Sequence, residues 1–334
     1  MADFQLEKRR VKSFYDDLDT AEISDLSHAI GRHCAVDLRW CGFSPFDRID
    51  GAEPVARQFW TPLRSSLSSM RRRIDVFMAG ENFIADTGGI WVASMGHLMG
   101  LFDQPWLGIP PTGKMAFLRY SAFHRVQDDR IVETAMYFDI PHLMLQAGLK
   151  PFPEQTGAHL VQPGPQTHDG VMFDNQASEA GEQTMKVMNQ MIADLGQWKS
   201  GLPLTDELRR TWHEDMIWWG PAGIGATFTI DRYALQHAGP FRASFDQRSP
   251  TQHRCRIAEG HFSGFFGWPN FTAVPIGGFM GMPATGRPGE FRVIDIYRRE
   301  GDKLAENWIF IDLLHFWKMQ GVDILKRTTE IGHP

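Results

Sequence analysis

The chain carries one sequence pattern twice, once in each half of its 334 residues. GIPPTGK at residues 108–114 matches GMPATGR at residues 281–287, and the alignment then runs without a gap for 41 residues. It contains 11 identities at one offset, where ordinary composition gives about two or three by chance. Further upstream, DLRWCG at 37–42 matches DMIWWG at 215–220. A repeat on this scale is longer than the roughly 20–50 residues of a solenoid period. It therefore predicts two domains of one fold.

The segment between the two copies has the composition of a linker. KPFPEQTGAHLVQPGPQTHDG, at residues 150–170, is rich in Pro, Gly and Gln and shows no apolar periodicity. Prolines make such a segment semi-rigid. We therefore predict a first domain over residues 1–150, a linker over 151–172 and a second domain over 173–334.

Composition limits the classes of partner. Hydrophobic residues make up 43% of the chain and charged residues 22%, as in ordinary globular proteins. The net charge of -6 provides no broad basic surface, so we expect no nucleic-acid partner. No apolar run approaches the roughly 20 residues of a membrane span, and the first residues lack an apolar signal core. We therefore expect no membrane partner and a cytoplasmic location. Three cysteines without C-x-x-C spacing predict buried free thiols and no metal site.

Each copy begins with helices and continues with strands. Apolar residues at helical spacing predict helices over 11–31, with a break near Asp19 and Thr20, and over 53–67. Residues 74–100 and the pair 117–126 and 131–139 read as antiparallel strands, followed by a short helix. In the second copy, the corresponding helices are predicted over 184–198 and 204–212. This order is typical of an α+β fold. The chain has no glycine-rich phosphate loop, and we expect no cofactor.

Several motifs together resemble the SnoaL-like polyketide cyclases of the NTF2-like superfamily. They are GIPPTGK, RVQDDRIVE, a terminal strand ending in Asp, and LQAGL, preceded by DLRWCG and DMIWWG. The resemblance covers nearly all of both copies. It implies tandem cone-shaped α+β barrels, each with N-terminal helices packed on a curved, mainly antiparallel sheet around a pocket. Members of the family usually pair, so the resemblance also implies an intramolecular pseudo-dimer of the two domains, with a homo-oligomer as a further possibility.

The resemblance also implies a chemistry. In characterised cyclases an Asp on the terminal strand is the acid or base of an aldol condensation that needs no metal or cofactor, and its position corresponds to Asp139 and Asp312. Because the superfamily also contains isomerases, hydrolases and noncatalytic proteins, the fold alone does not fix the reaction. We predict a cofactor-free acid/base enzyme, a cyclase, isomerase or hydrolase, acting on an oxygenated small molecule in an aromatic-lined pocket. The alternative is a noncatalytic small-molecule binding protein.

Strand alternation gives a separate argument about Asp139. In IVETAMYFD, Glu133, Tyr137 and Asp139 share one face, and the second copy places Trp308 and Asp312 on the matching face. We expect this face to line the cavity, where desolvation would raise the pKa of an isolated carboxyl group. The competing interpretation is a helix N-cap, since Asp139 precedes a helix with proline in its first turn.

His97 is the expected partner of Asp139. GHLMG at residues 96–100 resembles a cavity strand of the family, and His97 could orient a carbonyl or stabilise an oxyanion. The second copy has no such histidine. Two interpretations of the second domain therefore remain, an active domain or a degenerate partner of the first. Eight further residues are predicted to contact substrate: Trp40, Tyr137, Glu133, Arg119, Trp218, Trp308, His142 and His315.

For some of these eight residues the sequence also allows a structural role. Arg119 could pair with Glu133 across the hairpin, and the tryptophans could belong to the core.

Overall fold

The computed structural model describes residues 3–197, 201–281 and 284–331. Met282 and Pro283 of the second glycine–proline motif, and Trp198 at the end of a predicted helix, lie outside these ranges. The N-terminal unit contains α1 (Gln5–Thr20), α2 (Leu26–His33), β1 (Cys34–Gly42), β2 (Arg48–Asp50), α3 (Ala52–Val55), α4 (Thr61–Ser66), β3 (Leu67–Glu81), β4 (Ile90–Phe102), β5 (Met115–Gln127), β6 (Arg130–Phe138) and α5 (Ile140–Gln146).

The C-terminal unit repeats this series with small additions. It contains α6 (Ser178–Gly196), α7 (Leu204–Leu208), β7 (Trp212–Trp219), β8 (Thr227–Phe228), α8 (Ile230–Tyr233), α9 (Gly239–Ser244), β9 (Phe245–Asp246), β10 (Cys255–Glu259), β11 (Phe262–Pro275), β12 (Gly289–Glu300), β13 (Lys303–Ile311), α10 (Leu313–Met319) and α11 (Ile324–Ile331). One turn of π-helix joins α3 to α4, and another joins α8 to α9.

The two sheets have the same strand order. The first runs β2-β1-β6-β5-β4-β3, and the second runs β8-β7-β13-β12-β11-β10, with β9 beside β11. The first strand of each unit pairs in parallel with the last, β1 with β6 and β7 with β13, whereas the other neighbours are antiparallel. The predicted α+β architecture is confirmed, and the duplication is visible in the topology.

The helices form where apolar residues recur at helical spacing. In α1, Val11, Phe14, Tyr15 and Leu18 make one buried stripe. The predicted break is present, because α1 ends at Thr20 and α2 begins six residues later. Within the described ranges, no helix has both the length and the apolar character needed to cross a lipid bilayer.

Each sheet has two buried faces with different neighbours. One face packs under the helices of its own unit. The other face packs against the corresponding face of the second unit. This interface cluster contains, from the N-terminal unit, Phe43, Val76, Met78, Trp91, Phe123 and Tyr137, and from the C-terminal unit, Trp219, Ile257, Phe266, Ile294, Trp308 and Phe310. Apolar burial therefore joins the two units through their sheets.

The predicted orientation of the last strand is corrected by this arrangement. Glu133, Tyr137 and Asp139 do share a face, but that face meets the other unit and not the cavity under the helices. The Tyr137 hydroxyl donates to Gly267 O at 3.1 Å, and its ring lies 4.2 Å from that of Phe43. Alternation identifies residues that share a face, but it does not say what covers that face.

The segment between the units is held by both of them. Gly170 O accepts from the Phe77 N–H at 2.8 Å, beside the first sheet. Trp308 Nε1 in the second sheet donates to Pro163 O at 3.0 Å. These contacts fix the path of the connecting segment, residues 147–177, across the interface.

A buried ion pair also joins the two units. Lys8 Nζ of α1 lies 2.5 Å from Glu259 Oε1 of β10, and the side chains are 2% and 5% exposed. Glu259 Oε2 accepts from the Ala79 N–H at 2.7 Å, so both carboxylate oxygens are bonded. Burial raises the pKa of Glu259, against the influence of Lys8.

We expect Lys8→Met to lower the free energy of unfolding by about 3 kcal/mol, because it leaves the Glu259 carboxylate buried without a cation. Lys12→Met, one helical turn further along, removes an exposed pair with Asp16 and should cost less than about 0.5 kcal/mol. Urea unfolding at pH 7 measures both. Equal costs for the two variants would show that the Lys8 pair contributes nothing to joining the units.

Candidate functional site

An aromatic-lined cavity lies between the helices and the sheet of the C-terminal unit. It has a volume of about 130 Å³, close to the ~150 Å³ of an apolar cavity that holds a benzene molecule. Aromatic side chains are prominent in its lining, among them Trp218, Tyr233, Phe241, Phe265, Phe271 and Phe291. Such a cavity suits a small, flat, largely apolar ligand.

Asp295 is the carboxyl group of this cavity. Strand alternation on β12 turns Asp295 toward the helices while its neighbours Ile294 and Ile296 turn toward the other unit. Asn307 Nδ2 donates to Asp295 Oδ1 at 2.9 Å, and the Tyr297 side chain is also hydrogen-bonded to it. Burial nevertheless raises the pKa of Asp295 to about 7. This carboxyl group can therefore both accept and release a proton near neutral pH.

His253 provides a neutral donor on the same cavity. Its ring stacks on Phe265 with centroids 3.9 Å apart, and Phe265 lies directly opposite Asp295 in the register of β11 and β12. Arg256 Nε donates to His253 Nδ1 at 2.7 Å. Burial, together with Arg256, holds the pKa of His253 well below its usual value. Nδ1 is therefore an acceptor, and the ring proton lies on Nε2.

A second histidine packs on the helical side of the cavity. The His237 ring lies 4.0 Å from Trp218 at an interplanar angle of 20°, and burial lowers its pKa to about 3. A neutral imidazole stacked in this way extends the flat aromatic surface. Arg242, which also lines the cavity, donates hydrogen bonds of 2.5 and 3.0 Å to Glu207.

The same region of the N-terminal unit is occupied by its own side chains. Tyr120 and Phe138 stand at the positions of Val293 and Ile311, and both are fully buried. Ala122 stands where the C-terminal unit has Asp295.

A polar cluster also fills the interior of the N-terminal unit. The Tyr15 hydroxyl lies 2.6 Å from Ser94 Oγ and 2.7 Å from His124 Nε2. The guanidinium of Arg72 lies 3.9 Å above the Tyr15 ring. The N-terminal unit therefore keeps the fold but not the cavity acid.

Asp139 and Asp312 occupy matching positions at the interface. Asp139 Oδ1 accepts from the His142 N–H at 3.1 Å, which is an N-cap, and its Oδ2 accepts from the Ala222 N–H of the other unit at 3.0 Å. Asp312 caps its own helix in the same way and accepts from Ser44 N–H at 2.9 Å. Burial raises the pKa of Asp312 to about 7. Both carboxyl groups serve as helix caps and as links between the units.

The predicted pairing of Arg119 with Glu133 is corrected by the strand register. Arg119 lies beside Asp139 at the end of the hairpin, with Nη1 3.8 Å from Asp139 Oδ2, and its Nη2 donates to Trp219 O. Glu133 lies opposite Arg125 and forms its shortest ion pair, 2.7 Å, with Arg254 of the other unit.

The three predicted histidines lie outside the cavity. His97 Nδ1 is 3.4 Å from Asp75 Oδ2, and neither ring nitrogen hydrogen-bonds within the described residues, so His97 is not joined to Asp139. His142 follows Asp139 in α5 and is buried. His315 Nε2 lies 3.1 Å from Glu290 Oε2.

The predicted tryptophans divide among three environments. Trp218 lines the cavity. Trp40, its counterpart in the repeat, is in the core of the N-terminal unit, with its ring 5.1 Å from that of Phe59. Trp308 belongs to the interface, as does Tyr137, which the sequence also predicts to contact substrate.

Two cavity residues, Asp295 and His253, were not predicted from the sequence, and only Asp295 stands out in its sequence pattern. Asp295 interrupts the apolar strand segment VIDIY, and the first copy has Ala122 at the same place in the repeat. An acid in the middle of a buried strand without a counterpart points to a local function. His253 gave no such signal, because it precedes β10 in a segment without a clear pattern. Within the described ranges, no group of three His, Cys, Asp or Glu side chains is placed to bind a metal.

Comparisons with known proteins find a family similarity in the C-terminal unit. The family model for SnoaL-like polyketide cyclase matches residues 205–318, from α7 to α10. Among solved structures, IdmH from Streptomyces antibioticus is 19% identical, with a TM-score of 0.35 over 42% of this chain and 97% of its own. An NTF2-like protein from Burkholderia thailandensis E264 is 19% identical, with a TM-score of 0.32 over 43% and 97%. No curated protein matches the chain significantly.

We expect Asp295→Asn to become more stable relative to the wild type as pH rises. The folded pKa of about 7 exceeds the ordinary value of 3.8, so the carboxyl group favours folding below pH 4 and this contribution is lost as pH rises through 7. The difference between the two proteins should shift by about 2–3 kcal/mol between pH 5 and pH 8 and level off above that. Urea unfolding at both pH values measures the shift. A constant difference would show that Asp295 does not titrate in this range.

Proposed function

We propose that the chain, whose residues 205–318 match the family model for SnoaL-like polyketide cyclase, is an acid/base enzyme that uses the aromatic cavity of its C-terminal unit. The observation that carries this proposal is Asp295, a buried carboxyl group on an aromatic cavity with a pKa raised to about 7. General acid/base catalysis is most effective when the pKa of the catalyst lies near the working pH.

The proposed reaction begins at a carbon next to a carbonyl. The Asp295 carboxylate takes a proton from that carbon, the C–H electron pair becomes the enolate double bond, and the carbonyl π pair moves onto oxygen. His253 Nε2–H donates a hydrogen bond to this oxyanion. In a β,γ-unsaturated substrate the dienolate takes the proton back from Asp295 at the γ carbon, which is isomerisation. Alternatively, the enolate carbon attacks a second carbonyl to form a C–C bond, and the resulting alkoxide takes the proton from Asp295, which is aldol cyclisation.

The size of the cavity limits the range of possible substrates. A volume of about 130 Å³ holds roughly one ring, with further groups extending through the mouth. The stacked rings of Trp218 and His237, and those of His253 and Phe265, give the cavity flat aromatic surfaces that favour a planar ring. We propose as substrate a planar monocyclic compound whose enolisable carbonyl points toward Asp295.

Deuterium exchange into phenylacetone tests the proton transfer with one aromatic ring and one enolisable ketone. We expect the wild-type protein in D₂O to accelerate loss of the benzylic CH₂ signal in proton NMR. Asp295→Asn removes the base and should slow the protein-dependent rate by about 10²–10⁴-fold. The wild-type rate should rise about tenfold per pH unit below 7 and level off above it, since the base must be ionised.

Asp139→Asn is the informative comparison, because the sequence predicts a catalytic role for Asp139 and the structure links it to Ala222. Loss of exchange in Asp139→Asn, with full exchange in Asp295→Asn, would move the catalytic assignment to Asp139. Saturable binding of phenylacetone without faster exchange in the wild type would support a noncatalytic binding protein instead.

His253→Phe tests the oxyanion donor. Phenylalanine preserves a flat ring on Phe265 but removes Nε2–H, so exchange at saturating phenylacetone should fall by about 10²–10³-fold. The KM should change much less, because the ring contact is kept. His261→Phe, on the turn between β10 and β11, is a matched control outside the cavity. Equal rates for His253→Phe and the wild type would exclude His253 from the mechanism.

A further inference from the structure

The two strand-to-helix junctions at the interface match in backbone but differ in charge. At the second junction, Arg292 Nη1 lies 2.5 Å from Asp47 Oδ1 and 3.7 Å from Asp312 Oδ2. Glu290 Oε2 lies 3.1 Å from His315 Nε2 and 4.0 Å from Arg292 Nη2. Arginine and histidine thus each have a carboxylate partner besides the capping Asp312.

At the first junction both of those carboxylates are missing. The repeat places Gly225 at the position of Asp47, and Phe117 at the position of Glu290. The backbones correspond, since Asp47 and Gly225 both have positive φ, 53° and 88°. The backbone of Gly157 in the connecting segment lies close to Gly225. A Cβ atom added to Gly225 would lie 2.6 Å from the carbonyl carbon of Gly157. The connecting segment therefore occupies part of the space of the missing side chain.

The corresponding arginine and histidine retain buried donors without acceptors. Arg119 Nη1 and His142 Nε2 have no hydrogen-bond partner among the described residues, and both side chains are at least nine-tenths buried. Gln146 Nε2 is an amide donor 3.1 Å from His142 Nδ1, so Nδ1 accepts and Nε2 carries the proton. Burial lowers the pKa of His142 to about 4, which keeps the ring neutral. Leaving two donors buried without acceptors is costly.

Both residues border a small polar cavity under the connecting segment. Its volume is about 10 Å³, enough for one water-sized occupant. It is also lined by Gln155, Gln162 and His159, and His159 is exposed, so the cavity lies near the surface. Asp139 is the carboxylate that faces it, at 3.8 Å from Arg119 Nη1.

We propose that this cavity binds one small monovalent anion, chloride, between Arg119 Nη1 and His142 Nε2. The anion takes the place of the carboxylates that Asp47 and Glu290 supply at the second junction. The comparison between junctions favours an anion over water, because the second junction has two carboxylates besides its capping Asp, at positions where the first has Gly225 and Phe117. The site links Arg119 and α5 to the connecting segment, and it is separate from the Asp295 cavity.

Diffraction from crystals grown with sodium bromide tests the site directly, since bromide replaces chloride and scatters anomalously. We expect one anomalous peak within about 3.5 Å of both Arg119 Nη1 and His142 Nε2. Density for water there, without an anomalous peak at high bromide, would overturn the proposal.

Thermal unfolding gives a second, independent readout. At equal ionic strength, chloride at about ten times its Kd should raise the wild-type Tm above that in gluconate by about 2 °C or more. Phe117→Glu restores the carboxylate found at the second junction and should remove this difference. Glu290→Gln at the second junction is the matched control and should keep it. A chloride effect of equal size in Phe117→Glu, or none in the wild type, would overturn the proposal.

Discussion

The contact between two apolar sheet faces determines how the rest of the molecule is arranged. Each sheet is buried on both sides, by its own helices on one side and by the other unit on the second. Because the interface face is used for association, the aromatic cavity of the C-terminal unit lies on the helical face of its sheet. The strand-end acids Asp139 and Asp312 fall at the rim of the interface, where each caps a helix and accepts an N–H from the opposite unit. Each of these acids both caps a helix and links the units because it lies at the end of a strand, next to a helix of its own unit and to the opposite unit.

The two units use the same interior space in different ways. In the N-terminal unit Tyr120 and Phe138 fill it, and Tyr15 reaches it from α1. In the C-terminal unit the smaller side chains of Val293 and Ile311 leave a cavity there. Polar residues, Asp295 among them, line this cavity. A filled interior favours stability, because close packing maximises contacts. An interior with a cavity favours ligand binding. The family match to residues 205–318 falls on the unit that kept its cavity.

Four features could be predicted from the sequence, because each depends on local periodicity or on comparison of the two copies. They are the duplication, the α+β class, the helix break after Thr20 and the hairpin of β5 and β6. The direction in which Glu133 and Asp139 face could not. A period of two separates the faces of a strand, but both faces of these sheets are apolar, so hydrophobicity does not distinguish cavity from interface. The motifs that resemble the family are ones that the two copies share, whereas Asp295 lies where the copies differ.

Covalent joining of the units changes what single substitutions can do. In an assembly of two identical chains, every replacement occurs in both subunits, so a cavity filled in one is filled in the other. Here the gene copy that encodes Tyr120 is not the copy that encodes Val293, and each position varies alone. The connecting segment, bonded to Phe77 on one side and Trp308 on the other, keeps the two unequal halves at a fixed ratio of one to one at any dilution. One half can thus specialise as scaffold while the other evolves toward new ligands.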